Sequence, residues 1–272
     1  MPELPEVEEV RRSLEPHLLN VPIAAVRVHR RSFVCVGCSK ITGLAGHKMV
    51  RTHRHGKKLF LIADDGQTLH LHLGMSGRVD VVPHDSPVRK HTHVVLELAN
   101  GIDVRSCDPR RFGGIWFYRT YEQAHAAQLA RGLGIDALEL TPAHLRHWCK
   151  TRGFLKARLL SQRDVAGLGN IYVDEALWAA RLHPLQRLHR LKGEMIEQLV
   201  QEVLAVLQRS INVGGTTLRD YRNVSDQPGA FVRELKVYGR GNEPCRRCGT
   251  TLKSATIAGR TTVFCPSCQK RH

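Results

Sequence analysis

The chain has 272 residues, room for one or two domains that each bury a core, and 41 Lys and Arg against 25 acids give it +16 before any of its 16 histidines is counted. That excess runs along the whole chain rather than sitting in one tail, so a polyanionic partner is expected. No apolar run approaches the roughly 18 residues of a membrane span, and acids stand where a signal peptide would have its apolar core, so a cytoplasmic protein is expected.

The first stretch, Met1-Pro2-Glu3-Leu4-Pro5-Glu6-Val7-Glu8-Glu9, admits two readings. One is an ordinary helix start, with proline in the first turn and acids at the positive end of the helix dipole. The other is catalytic. Loss of the initiator methionine would leave Pro2 as a secondary amine that titrates near pH ~8, a nucleophile for an aldehyde or acetal carbon. Glu3 and Glu6 would then stand close enough to shuttle protons or orient that amine. Residues 6–19 read as an amphipathic helix with Val7, Val10, Leu14 and Leu18 on one stripe and Pro16 placed to kink its last turn.

From about residue 21 to 118 the period changes to two, and Asp64-Asp65-Gly66 and Ala99-Asn100-Gly101 supply hairpin turns, which predicts an antiparallel β-sandwich or barrel. Three spots stand out there. Arg54-His55-Gly56-Lys57-Lys58 is a basic run that suits a solvated strand entry or a phosphate contact equally. His70-Leu71-His72-Leu73-Gly74-Met75-Ser76-Gly77 ends a strand in a Gly-flanked turn that would push Met75 outward, although a methionine near a sheet is more often core. Asp108-Pro109-Arg110-Arg111-Phe112-Gly113-Gly114 is a rigid basic loop displaying an aromatic, a shape that could wedge into a base stack. Cys35-x2-Cys38 lies in β-patterned sequence without a helix to lower a thiol pKa, and free thiols are expected there, as at Cys107 and Cys149.

Residues 120–150 turn helical and polar, with Thr141 as a cap and Pro142 in the first helical position. A helix over Phe154–Leu160, a break at Ala166-Gly167-Leu168-Gly169-Asn170 and a second helix through Trp178 suggest a turn whose bare N–H groups would seat a phosphate; a plain helical hairpin is the alternative. Residues 193–211 form another amphipathic helix with Met195, Leu199, Val203, Leu207 and Ile211 on its core face. The Gly, Ser and Asp-rich stretch from Gly214 to Gly229 has the composition of a mobile loop. Last comes the clearest motif, Cys245-x2-Cys248-x16-Cys265-x2-Cys268. Two such knuckles close a tetrahedron around one structural Zn2+ and leave no position for water. Around them, residues 231–272 hold nine Lys or Arg against two acids, a ribbon suited to phosphates.

Taken together, Pro2-Glu3-Leu4-Pro5-Glu6-Val7-Glu8, His72–Gly77, Asp108–Gly113, Gly169-Asn170-Ile171-Tyr172, Gly214-Gly215-Thr216-Thr217 and the four cysteines make the chain resemble the bacterial formamidopyrimidine-DNA glycosylases, repair enzymes that excise 8-oxoguanine and ring-opened purines. The resemblance implies an α+β multidomain protein: an antiparallel β-sandwich flanked by helices (1–130), a helix-two-turn-helix DNA-binding domain (131–230) and a zinc-ribbon finger (231–272). It implies that DNA lies in the cleft between them, that the protein works as a monomer, and that its place is the nucleoid of a bacterial cytoplasm. It also implies roles. Pro2 would attack C1′ to form an iminium, Glu3 would protonate the opening sugar ring, Glu6 would support the site, and Lys57 would bind phosphate near the lesion. His91, Lys156, Asn170 and Arg260 would grip the backbone, while Met75, Arg110 and Phe112 would fill the gap left by the flipped nucleotide. The chain departs from the family at Lys90-His91-Thr92-His93, where Asp often replaces Thr, and at Ser161, where an acid is common. Two other readings compete. The sister glycosylases for oxidised pyrimidines usually carry Gly where Leu4 stands, and a non-catalytic zinc-ribbon DNA-binding protein has no need of a free N-terminal proline.

Overall fold

Helix α1 (Leu4–Leu18) begins two residues before the expected span because Glu3 and Glu6 form a reciprocal capping box, each side chain accepting the other's backbone N–H. The helix continues through Pro16 and buries Leu4, Val7, Val10, Leu14 and Leu18. The structure is a computed structural model that describes residues 2–217 and 223–271. Its contacts divide the chain into two compact units: residues up to Arg131 together with Val213–Ala230, and Gly132–Asn212 together with the chain from Phe231 onward. No helix among the described residues is long and apolar enough to cross a membrane.

The first unit contains strands β1 (Ile23–Val28), β2 (Val34–Val36), β3 (Met49–His55), β4 (Lys58–Ala63), β5 (Thr68–His72), β6 (Arg78–Pro83), β7 (Thr92–Leu98), β8 (Ile102–Cys107) and β9 (Gly114–Tyr118), followed by helix α2 (Tyr121–Leu129). They make a four-stranded sheet in the order β1-β7-β8-β6 and a five-stranded sheet in the order β2-β9-β5-β4-β3. One core joins helix α1 to both sheets through Leu14, Leu61, Leu69, Val79, Leu96 and Ile115, among others, as the period-two pattern requires. The expected turns at residues 64–66 and 99–101 do close the β4–β5 and β7–β8 hairpins. One edge departs from the antiparallel expectation. Strand β2 runs parallel to β9, because it arrives through a 3-10 turn at Arg31–Phe33 and no hairpin links the two strands.

Strands β4 and β5 are buried on both faces rather than alternating, because α2 covers the outer face of their sheet. There His70 stacks between Phe60 and Trp116 at ring distances of 5.1 and 4.8 Å. Burial pushes its pKa down to about 2, so it is a neutral core residue. Cys35 and Cys38 are both unbonded thiols, as expected.

Residues 213–230, grouped with the helical segment when the sequence is read alone, pack with the first unit. Thr216 bridges Ala230, Val224 is buried in the sandwich core, and Val81 N–H donates to Val224 O at 3.2 Å. Both described ends of the Gly214–Gly229 stretch are therefore pinned. Residues 218–222, where part of the expected mobility falls, lie outside the described residues.

The second unit contains β10 (Ile135–Asp136), α3 (Pro142–Leu145), α4 (Leu155–Leu160), β11 (Val165–Ala166), α5 (Asn170–Ala179), α6 (Gly193–Asn212), β12 (Lys253–Ile257) and β13 (Arg260–Phe264). Thr141 and Pro142 start α3 as predicted, with His144 completing a capping box. Between α4 and α5 the chain is not a bare glycine turn. Strand β11 pairs parallel with β10, and the Gln162 side chain bridges the turn, donating to Leu168 O at 2.6 Å and accepting from Gly167 N at 2.9 Å. Along α6 the core face is Ile196, Leu199, Val200, Val203, Val206, Leu207 and Ile211. A strict spacing of four from Met195 drifts off a 3.6-residue helix, and the Met195 sulfur instead accepts from Lys192 N at the helix start.

Candidate functional site

In the first unit, Pro2 is buried directly before the capping box, and Glu3 and Glu6 are 2% and 1% exposed. Glu6 is held from two sides. One carboxylate oxygen accepts from Glu3 N at 2.8 Å, and the other accepts from Thr216 N at 2.7 Å. Gly215 lies against it at φ +81°, where a Cβ would stand 3.0 Å from Glu6 Oε1, so only glycine lets the loop close on this carboxylate. The Gly229 N–H donates to Thr217 Oγ1 at 2.8 Å and locks the returning limb. The Gly214-Gly215-Thr216-Thr217 motif and the N-terminal motif are thus parts of one arrangement, two carboxylates fixed beside Pro2.

The basic run at residues 54–58 divides into different roles. Arg54 is structural: its guanidinium binds Glu8 at 3.1 Å and Gly56 O at 3.0 Å. Burial raises the Glu8 pKa, but hydrogen bonds from Arg11 and Arg12 and the Arg54 charge outweigh it and hold the carboxyl down to about 2. Lys57 sits with Gly56 in the two-residue turn between β3 and β4 and is half-buried. Burial pushes Lys58 down to about 8, with the Arg131 and Lys57 charges acting the same way.

The two display loops are built around Asp108, which is fully buried. Its Oδ1 accepts from Ser76 Oγ at 2.7 Å and Arg110 N at 3.2 Å, and its Oδ2 accepts from Gly113 N at 2.8 Å. Asp108 therefore cross-links the turn bearing Met75 to the loop bearing Arg110 and Phe112. The loops also meet backbone to backbone: a Cβ on Gly74 would stand 2.4 Å from Gly113 N. Met75 is half-buried rather than core, and Phe112 is 55% exposed with the Arg110 guanidinium 4.7 Å over its ring. Ser32 and Phe33 join residues 110–113 around a cavity of about 240 Å3. His91 is exposed at φ +70°, and its carbonyl accepts from Asp108 N at 3.1 Å.

In the second unit, Asn170 opens α5 and donates one amide hydrogen to Thr261 O at 2.8 Å. Arg260 is exposed at the start of β13, after a tight turn in which Ala258 and Gly259 both have positive φ, as a type I′ hairpin demands. Lys156 is a correction. It is fully buried with Nζ 2.5 Å from Asp174 Oδ1, so its ammonium serves a buried ion pair and is not presented to a phosphate. Desolvation raises the Asp174 pKa to about 6 even against that cation, and Asp174 Oδ2 accepts from Val263 N. Glu175 beside it accepts from three successive amides, Lys236, Val237 and Tyr238, at 2.8–3.0 Å. Reading the sequence missed Asp108 as a hub and the Asp174-Glu175 pair. Their signal was present in side chains that can only accept, set among donors.

The four Sγ atoms of Cys245, Cys248, Cys265 and Cys268 lie within 4.8 Å of one another, and Cys248 and Cys265 are 3.5 Å apart. Sulfurs at the corners of a zinc tetrahedron stand about 3.8 Å apart, so the set fits Zn2+. Backbone amides of Arg247 and Cys268 point at Cys245 and Cys265 sulfurs, as metal-bound thiolates favour. With four thiolates the shell is closed, and the metal's contribution is to hold the ribbon.

The chain matches three family models: the formamidopyrimidine-DNA glycosylase N-terminal domain over residues 1–115, the H2TH domain of the same enzymes over 133–222, and the zinc finger found in FPG and IleRS over 242–271. It is 41% identical over 273 residues to the formamidopyrimidine-DNA glycosylase of Teredinibacter turnerae, covering 99% of this chain and 100% of that one. Among solved structures, it is similar to a Lactococcus lactis Fpg mutant bound to Fapy-dG-containing DNA, with a TM-score of 0.93 and 33% identity over 99% of this chain and 100% of the other. The wild-type Lactococcus lactis protein bound to DNA containing an oxidised pyrimidine gives 0.92 and 32% over the same shares.

Proposed function

Because the chain belongs to the formamidopyrimidine-DNA glycosylases, DNA glycosylases of base excision repair, we propose that it excises 8-oxoguanine and formamidopyrimidines from duplex DNA and then cleaves the strand as an abasic-site lyase. The observation that carries this reading is the carboxylate pair fixed beside Pro2, with Glu6 gripped by Glu3 N and Thr216 N. After methionine removal the Pro2 nitrogen attacks C1′ of the damaged nucleoside, and Glu3 protonates the sugar ring oxygen as the ring opens. The base leaves with the proton that the Pro2 nitrogen gives up, and an iminium joins Pro2 to C1′ as the C1′–O4′ bond breaks. That cation acidifies the C2′ proton, whose loss expels the 3′ phosphate; a second elimination expels the 5′ phosphate. Glu6 keeps Glu3 in place, and Lys57 and Arg260 neutralise phosphates. His91 and Asn170 hold the backbone, and Met75, Arg110 and Phe112 fill the vacated stack.

On this reading the unit made of residues up to 131 with 213–230 carries the chemistry, residues 132–212 and the ribbon from 231 onward the grip on DNA, and the zinc held by the four cysteines supplies rigidity alone. Incubating the protein with a duplex containing 8-oxoguanine opposite C should release the base and break the strand without alkali, leaving phosphate at both ends of the gap. A strand that breaks only after hot alkali would remove the lyase half, and faster removal of thymine glycol than of 8-oxoguanine would transfer the chain to the pyrimidine-specific reading.

A further inference from the structure

Helix α5 presents Asn170, Asp174 and Trp178 four residues apart, hence on one face, and each of the three grips the zinc ribbon. Asn170 donates to Thr261 O, Asp174 accepts from Val263 N, and the Trp178 indole N–H donates to the sulfur of Cys245 at 3.4 Å. The first two contacts hold the β13 strand by its backbone. The third reaches a zinc ligand itself.

We propose that Trp178 is a positioning residue for the zinc, slowing its loss through the indole N–H bond to the Cys245 thiolate. The indole has one polar hydrogen and no acceptor, so its orientation decides whether that hydrogen meets the sulfur. Arg247 fixes the orientation. Its guanidinium lies 4.0 Å over the Trp178 ring and donates to Trp178 O at 3.0 Å and Ala179 O at 3.3 Å, carbonyls in the last turn of α5. The ring also packs against the small apolar core of the ribbon, beside Val237, Leu252 and Val263. A donor on a metal-bound thiolate orients that ligand and holds it in place, so the sulfur leaves the metal more slowly.

The test is Trp178→Phe, which keeps an aromatic ring against the ribbon and under Arg247 but removes the N–H. Zinc transfer from the intact holoprotein to a chromogenic chelator should accelerate roughly ten- to a hundredfold, the effect of deleting an outer-shell partner. Equal transfer rates in the two proteins would overturn the proposal. Should the substitution disturb folding, the unsubstituted protein supplies a second readout through the indole 15N–1H signals of its three tryptophans. On replacing zinc by 113Cd, one of these signals should shift and show coupling to the metal through the hydrogen bond. Three indole signals identical with either metal would overturn it as well.

Discussion

Asp108→Asn tests whether the two display loops act as one device. The carboxylate accepts three bonds, from Ser76 Oγ, Arg110 N and Gly113 N, while fully buried. An asparagine keeps one oxygen and sets an NH2 where the other stood. Turned one way, the NH2 faces Gly113 N–H; turned the other, it faces Arg110 N–H, although the Ser76 hydroxyl can rotate to accept from it. Either way a loop amide loses its Asp108 acceptor, Gly113 N–H outright or Arg110 N–H with only its 3.3 Å bond to Ser76 Oγ left, which costs about 1–3 kcal/mol. If that loss falls on the flipped state, about 2 kcal/mol slows lesion extrusion roughly thirtyfold at 1.36 kcal/mol per decade. Stopped-flow fluorescence of 2-aminopurine beside the lesion reads extrusion, and single-turnover excision reads the whole sequence. Ser76→Ala, which removes one hydroxyl donor and strands no amide, should slow both less. A variant that unfolds more easily yet extrudes and excises at the original rates would leave Asp108 a purely structural residue and the two loops independent.

Arg110→Ala should narrow the preference for 8-oxoguanine opposite C over A, since a guanidinium offers only donors and cytosine's O2 and N3 accept; one such bidentate contact discriminates by ~1–3 kcal/mol. Phe112→Ala should slow excision in both duplexes alike, by comparison of single-turnover rates. Cys248→Ser should lose zinc and duplex affinity together, by metal analysis and titration, whereas Arg260→Ala should keep zinc and flatten the salt dependence of binding by about one unit of slope. Glu8, with its folded pKa depressed to about 2 from an ordinary 4.5, contributes stability that is fully present above about pH 4.5 and is lost as pH falls toward 2. That depression corresponds to ~3 kcal/mol, and Glu8→Gln should flatten the acid limb of the thermal-unfolding profile.

The parts of the fold legible in the sequence are those set by local rules. Period-two apolar patterning with Asp-Gly and Asn-Gly turns marked the sandwich, Thr141-Pro142 marked a helix start, and paired Cys-x2-Cys knuckles marked the metal site. What escaped depends on partners distant in sequence. Alternation with Leu69 and Leu71 puts His70 on the outer face of its strand, and only the distant helix α2 buries that face. The family resemblance made Lys156 a phosphate ligand, and Asp174, eighteen residues on, makes it half of a buried pair. The Glu6–Thr216 bond spans 210 residues, and only the folded backbone shows that the two motifs are one arrangement. Candidate residues in short motifs were easier to name than the acceptors, Asp108 and Glu175, that organise the backbone around them.

Whether the Pro2 nitrogen is the nucleophile is decided by covalent capture. The protein, with its initiator methionine removed, is incubated with an 8-oxoguanine duplex under borohydride, which reduces an iminium to a stable amine, and the adduct is digested and located by mass spectrometry. The account predicts a single cross-link to the N-terminal peptide at the Pro2 nitrogen, abolished when a residue is left or added in front of Pro2. A cross-link on a lysine such as Lys57, or trapping that persists undiminished behind a blocked N-terminus, would contradict it.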